Sequence, residues 1–300
     1  MPTGAGVFYD APGPRARRTV RLTSAVATVA VLAAAWWLVI RPLRDQGQFS
    51  MELWGPIVDP SNPSFSALWR RFGQGIGATL QAAALSITTS ALCGAGLAVL
   101  RVQLKQLARR QYPGMPAAVA WILRGLGWTL NAVTRVCVDV FRGMPVVITI
   151  FFVGRALPEF GLRFDNVLWY LVIGLTAYNM VVLAETLRSG MEGLPKGQRE
   201  AAASLGLSSL QTTILVLLPQ AIRIMLPALI GQLIVVLKDT SLGFIISYEE
   251  LLNVAKTATQ VLSNPIQMYF LVGLVYLAMN YALSRLADWT QRRVSRPRRS

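Results

Sequence analysis

The sequence predicts an all-α, polytopic membrane protein, and three observations carry that reading. Of its 300 residues 54% are hydrophobic and only 14% charged, against about 25% charged in an average soluble domain. A water-soluble fold cannot hide that much apolar side chain. Charge-free stretches also recur at lengths that match the roughly 20 residues a helix needs to cross a bilayer. Finally, the net charge of +15 falls on one side when the loops between those stretches are assigned alternately to two sides.

Taken in order, Leu22–Ile40 is the first span and Gly75–Leu100 the second. The third is one tilted helix over Val133–Gly154, which tolerates Arg135, Asp139 and Arg142 near its start and kinks where Gly143 and Pro145 occur. Asn166–Ala184 is the fourth. The fifth runs Ile224–Leu237 and continues through Thr240–Ser247, carrying Lys238 and Asp239 inside the membrane. Thr257–Ser284 is the sixth. A further charge-free window, Ala201–Ile222, is rich in Ser, Thr and Gln and is interrupted by Gly206 and Pro219, so it reads as two short helices at the membrane surface. Arg15, Arg17, Arg18 and Arg21 precede the first span as in a signal peptide. Its apolar run is longer than such a peptide's, however, and Arg41-Pro42 follows in place of a small-residue cleavage site, which makes it an uncleaved anchor.

With the N-terminus inside, the outer segments 41–74, 155–165 and 248–264 carry +1, 0 and −1. The inner segments hold the entire excess, as the positive-inside rule requires of a cytoplasmic face. Both termini are then cytoplasmic. The expected organisation is a tail at 1–18, an anchor at 19–41, an extracytoplasmic segment at 42–72, a transmembrane core at 73–290 with a cytoplasmic loop at 191–220, and a basic, lipid-facing tail at 291–300.

Composition excludes several chemistries. There is no histidine, which removes His-based acid–base catalysis, Ser-His-Asp nucleophiles and His-ligated metals. Cys93 and Cys137 lie far apart and form no metal or redox pair. No catalytic residue and no metal site is expected. The basic excess, once placed at a membrane face, no longer points to nucleic acid.

The loop after the fourth span carries the strongest local pattern: Glu200-Ala201-Ala202, three residues, Gly206, nine residues, Val216, one residue, Leu218-Pro219. Ala201 and Ala202 favour a smooth helix, Gly206 ends it, and Glu200 near its start suits the macrodipole. This pattern resembles the signature cytoplasmic loop of permease subunits of ABC importers, with Val216 where that family has Ile. The flanking Ala184-Glu185, Arg188-Ser189-Gly190, Leu194-Pro195, Gly197-Gln198 and Lys238–Leu242 resemble the polar amino acid branch. Phe141–Pro145 resembles the same branch's Arg-Gly-Thr-Pro element, with Met144 in place of Thr. Tyr178-Asn179, Arg223–Ala228 and Gly243–Tyr248 are most similar to the glutamate importers of actinobacteria. The resemblance covers roughly residues 72–290.

It implies a five-helix permease core behind the anchor, in a bacterial plasma membrane. Partners would be two ATP-binding subunits, a second permease in a homo- or heterodimer, and an extracytoplasmic binding protein. ATP and Mg would sit on the ATPase, with no cofactor on this chain. The implied function is ATP-driven import of a polar amino acid, glutamate first. The alternative is a gradient-driven amino acid carrier, which predicts an inverted repeat and several deep carboxylates. No repeat is evident, and Asp239 is the sole deep carboxylate.

Ionisable residues within a membrane default to function. Lys238 lies fifteen residues beyond Arg223, about 22 Å along a helix. One reading has Lys238 attract a substrate carboxylate while Asp239 pairs with an ammonium, with Thr240, Ser241 and Asn179 lining the path. The other is a structural ion pair or a contact to the partner permease. Glu185 and Arg188, three apart on one helical face, brace the cytoplasmic loop, and Arg142 contacts phosphate or lipid at the interface.

Overall fold

The computed structural model describes residues 13–109 and 114–294. The basic run beyond 294 and the first twelve residues of the expected N-terminal tail lie outside them. The chain divides into two units, residues 1–65 and 66–300.

In the first unit, α1 (Pro14–Ala35) starts on a proline that loses no intrahelical bond at that position, and continues through a π-helical turn, Trp36–Ile40, into α2 (Arg41–Asp45). The Arg41 guanidinium lies 4.5 Å over the Trp37 ring and 3.8 Å from Asp45. A short helix, α3 (Met51–Val58), follows, tied by the Trp54 indole N–H to the Gln48 carbonyl at 2.9 Å. Beyond it the Asp59 carboxylate accepts hydrogen bonds from the Ser61 hydroxyl and backbone N–H, which hold its carboxyl below the usual range.

The second unit contains α4 (Phe65–Arg109), α5 (Ala117–Gly143), α6 (Val146–Glu159), α7 (Leu168–Glu192), α8 (Lys196–Ser204), α9 (Ser209–Gln211), α10 (Leu218–Asp239), α11 (Leu251–Leu262) and α12 (Pro265–Val294). Its centre is α7, half buried along its apolar window and packed against α6 and α10. Small residues on α4 recur every three or four positions along the buried face: Gly75, Thr79, Ala82, Ser86, Ser90, Gly94, Ala98. That spacing lets other helices approach closely, as small residues do between membrane helices: a Cβ at Gly75 would stand 3.1 Å from the Leu251 backbone of α11, and one at Gly94 3.0 Å from the Met180 carbonyl of α7. One apolar cluster joins Ala82 of α4 to Ile150, Leu171, Leu175 and Tyr248. A second, at the other end, joins Ala98 and Val102 to Leu187, Met191, Leu217 and Ala221.

Among the described residues five helices are long and apolar enough to cross a membrane, and the bent pair α5–α6 can supply a sixth. Of the expected spans, Leu22–Ile40 and Gly75–Leu100 fall inside single helices and Asn166–Ala184 and Ile224–Ser247 do so to within two residues, but three boundaries change. Val133–Gly154 is not one tilted helix: α5 and α6 meet at 105°. Met144, forced out of the helical region by the proline after it, is extended at ψ 141°, and Pro145 opens α6. The final span begins at Pro265 and not Thr257, because Ser263 takes a left-handed conformation (φ 52°) and closes α11. Of the two surface helices expected over Ala201–Ile222, only the first is separate. From Ser209 the chain runs without a break to Ile246, since a π-helical segment, Thr212–Leu217, precedes Pro219. A widened turn of this kind relieves the clash between a proline ring and the preceding turn.

Candidate transport path and coupling loop

At the end of α7, Gly193 and Pro195 turn the chain into α8, where Glu200 and Ala201 are exposed and Ala202 is buried against the body of the protein. The helix closes in a Schellman motif: the Gly206 N–H donates to Ala203 at 2.9 Å and the Leu207 N–H to Ala202 at 3.1 Å. Gly206 stands at φ +75°, a conformation that costs an L-residue about 1–2 kcal/mol. Ser208 and Gln211 then form a reciprocal capping box that starts α9. Leu205, at the tip of the turn, is 81% exposed. Val216 and Leu218 are half-buried within the continuous helix and Pro219 is exposed on it.

The turn is held by polar ties between distant segments. Glu185 pairs with Arg101 of α4 and, at 2.8 Å, with Arg188. Arg188 reaches on to Glu192 at 2.9 Å, and Glu192 to Lys105 of α4 at 2.8 Å. The ladder therefore alternates sign from α4 across α7 and back to α4. Beside it the Gln103 amide donates to Thr213 at 2.8 Å, and the Ser209 hydroxyl contacts Gln103 and Gln106. Gln220 of α10 donates to Gln198 of α8 at 3.1 Å. Glu185 and Arg188 are thus part of a five-residue network. Arg142 stands apart from it, with its ion pair to Asp139 on its own helix at 3.1 Å.

At the other end of α10, Lys238 is exposed and Asp239 half-buried, and no ion pair joins them among the described residues. The helix tightens there into a 3₁₀ segment, Thr240–Ile246. The Thr240 hydroxyl donates to the Leu237 carbonyl at 2.7 Å and the Ser241 hydroxyl to Lys238 at 2.8 Å. Both cap carbonyls that the end of an α-helix leaves without partners, and their oxygens keep acceptor capacity. Asn179 is fully buried; its amide nitrogen donates to Leu175 at 2.9 Å and its oxygen accepts from Gln232 of α10 at 2.8 Å. The structure thus couples Asn179 to the helix that carries Lys238 and Asp239.

Several partners escape a reading of local sequence. Gln232, a lone amide in an apolar run, was the signal for a tie to Asn179. Arg101 and Lys105, four apart on one face of α4, meet Glu185 and Glu192, seven apart on one face of α7, with Arg188 between the two carboxylates. Among the described residues Glu250 is the most buried carboxylate: it caps α11 by accepting the N–H groups of Leu252 and Asn253, each at 2.7 Å, and receives the Tyr276 hydroxyl at 2.9 Å.

Residues 114–296 match the family model described as binding-protein-dependent transport system inner membrane component. The glutamate transport system permease protein GluD of Corynebacterium glutamicum is 33% identical over 255 residues, covering 84% of this chain and 83% of that protein. The probable glutamine ABC transporter permease protein GlnP of Bacillus subtilis is 37% identical over 161 residues, covering 53% of this chain and 73% of that protein. Among solved structures, an amino acid ABC transporter with histidines superposes at a TM-score of 0.60 with 24% identity, over 77% of this chain and 97% of that one. The inward-facing MetNI methionine ABC transporter gives 0.60 at 20% identity, over 77% and 99%; these two likenesses bear on the fold. The ABC-type expectation displaces that of a gradient-driven carrier. This chain belongs to the binding-protein-dependent transport system inner membrane component family and is a multi-pass, plasma-membrane permease of the polar amino acid ABC importer type.

Proposed function

We propose that this chain translocates glutamate across the plasma membrane, driven by a separate ATPase that docks on α8. One observation carries the coupling half of this reading: α8 and its left-handed Gly206 turn present Glu200, Ala201 and Leu205 outward, while buried Ala202, the Arg199 bond to the Met191 carbonyl and the Gln220 bond to Gln198 tie α8 to α7 and α10. A rigid projection with one bare apolar tip suits a cleft on a partner, and a push on it reaches α10 directly. Two ATP-binding subunits that hold ATP and Mg, a second permease and a binding protein complete the assembly, with the turn and both termini in the cytoplasm. The glutamate half is supported by the name of the Corynebacterium relative and by Lys238 and Asp239 at the end of α10, next to Thr240 and Ser241, with Asn179 tied to the same helix through Gln232. The basic Lys238 would receive the substrate carboxylate.

The coupling test separates conformation from space. A Cβ at Gly206 meets nothing within 4 Å, so a substitution there acts through φ alone. Gly206→Val is expected to cut labelled glutamate uptake roughly 5–30-fold, the effect of 1–2 kcal/mol on the turn. Gly206→Asn, which tolerates the left-handed region, should retain most of it, and Glu200→Lys should lose it. Uptake that survives Gly206→Val, Glu200→Lys and ATP depletion alike would refute the coupling role. For substrate choice, glutamine, arginine and aspartate are competed against labelled glutamate. Lys238→Ala should raise KM about tenfold or more, the loss of a charged hydrogen bond; an unchanged KM with reduced protein in the membrane would assign Lys238 to structure.

A further inference from the structure

We infer that the junction of α4, α7 and α8 is a binding site for a phosphate-bearing anion, supplied at that depth by the headgroup of an anionic phospholipid. A cavity of about 510 Å³ opens there. Its floor is apolar, from Val102 and Leu194, and its wall carries Lys105, Arg109, Lys196 and Arg199 against the single carboxylate of Glu192. That carboxylate is already shared by Lys105 and Arg188, at 2.8 and 2.9 Å. Arg109, Lys196 and Arg199 have no acidic partner among the described residues. Arg199 lends one N–H to the Met191 carbonyl at 3.4 Å.

Three cations around one cavity repel one another unless an anion sits between them, and the guanidinium fork matches phosphate oxygens. The depth points to lipid. The charge-free part of α4 ends at Leu100, so Lys105 lies about 7 Å and Arg109 about 13 Å beyond it along the helix. The headgroup layer on each side of a bilayer is about 5–8 Å thick. The cavity thus begins within that layer and opens outward from it. Its apolar floor suits the glycerol and first methylenes of a lipid better than a free ion. A headgroup seated there would hold the first turn of α8 to the end of α4.

The test uses the full-length chain in its assembled transporter, delipidated in detergent and followed by native mass spectrometry. Dihexanoyl phosphatidylglycerol should bind saturably and dihexanoyl phosphatidylcholine should not. Each basic side chain near anionic lipid is worth about fivefold, so the triple variant Arg109→Gln/Lys196→Gln/Arg199→Gln should bind on the order of 100-fold more weakly. Its folding is monitored by thermal unfolding; these residues form no ion pair among the described residues and Arg199 gives up only its long bond to the Met191 carbonyl, so the midpoint should stay close to the wild type's. A control pair, Arg70→Gln/Arg71→Gln, should bind as the wild type does. Inorganic phosphate that competes at equal concentration would keep the site and make its occupant a soluble phosphate. Equal binding of the two lipids, or a triple variant that binds like the wild type, would overturn the inference. So would phosphatidylglycerol excluded from the assembly while a photo-crosslinker at Arg109 captures the ATPase, since the cations would then serve a protein interface.

Discussion

Glu185→Ala is expected to destabilise the chain by about 3–5 kcal/mol, the cost of removing one partner from a buried ion pair. The side chains of Arg101 and Glu185 are 8% and 19% exposed. Without the carboxylate, Arg188 keeps Glu192, but Arg101 has no other ion-pair partner among the described residues and remains a desolvated cation between α4 and α7. Thermal unfolding in detergent should show a midpoint lowered by roughly 10 °C. The origin of the loss can be checked by removing both charges: Arg101→Met/Glu185→Leu should be more stable than Glu185→Ala, because a buried pair replaced by apolar residues of similar volume leaves no orphan charge. A double variant as unstable as the single one would show that the pair's geometry, and not the stranded charge, sets the cost.

Gly174→Val is expected to be the next most damaging change, at about 3 kcal/mol from overpacking a close helix contact. A Cβ at Gly174 would stand 2.9 Å from the Ile150 Cα, a backbone atom, and Ile150 is fully buried. The helices α6 and α7 must therefore separate, and the apolar cluster around Leu171 and Leu175 loosens with them. Gly174→Ala should already destabilise. Gly96→Ala is the contrast: nothing lies within 4 Å of its Cβ position, so the gain in helix propensity should stabilise by about 0.5–1 kcal/mol. Equal effects at the two glycines would rule out close packing as the cause.

These two residues mark what could and could not be read from the sequence. Spans are legible because charge-free length is a local property, and the α8 turn is legible because Gly206 sits where a helix must stop. The bend at Met144-Pro145 was visible as a kink, but its size was not: a proline removes a hydrogen bond and restricts its neighbour, while the angle is set by what each half packs against. The stop at Ser263 was masked because Thr257–Ser284 carries no charge, although Ser263-Asn264-Pro265 is a sequence that ends helices. Pro219 misled in the opposite direction, since the preceding π-helical turn absorbs it. The pairing of Arg101 and Lys105 with α7 spans more than eighty residues of chain and depends on two helices lying side by side, which no local window contains. Asn179 was legible as a residue in need of a partner, but Gln232 became its partner only through the α7–α10 contact.

The unbroken helix from Ser209 to the 3₁₀ segment at Thr240 has a mechanical consequence. The thirty residue steps between Ser209 and Asp239 make a rod of about 45 Å at ~1.5 Å per residue. A tilt of about 5° about the Ser209 end carries the Lys238–Asp239 end by about 4 Å, more than the length of a hydrogen bond. A displacement at the Ser209 end therefore reaches the charged pair through one continuous element, with no chain of side-chain relays between them. The stiffness of that rod then depends on its two interruptions, the π-helical turn at Thr212–Leu217 and the interior proline Pro227.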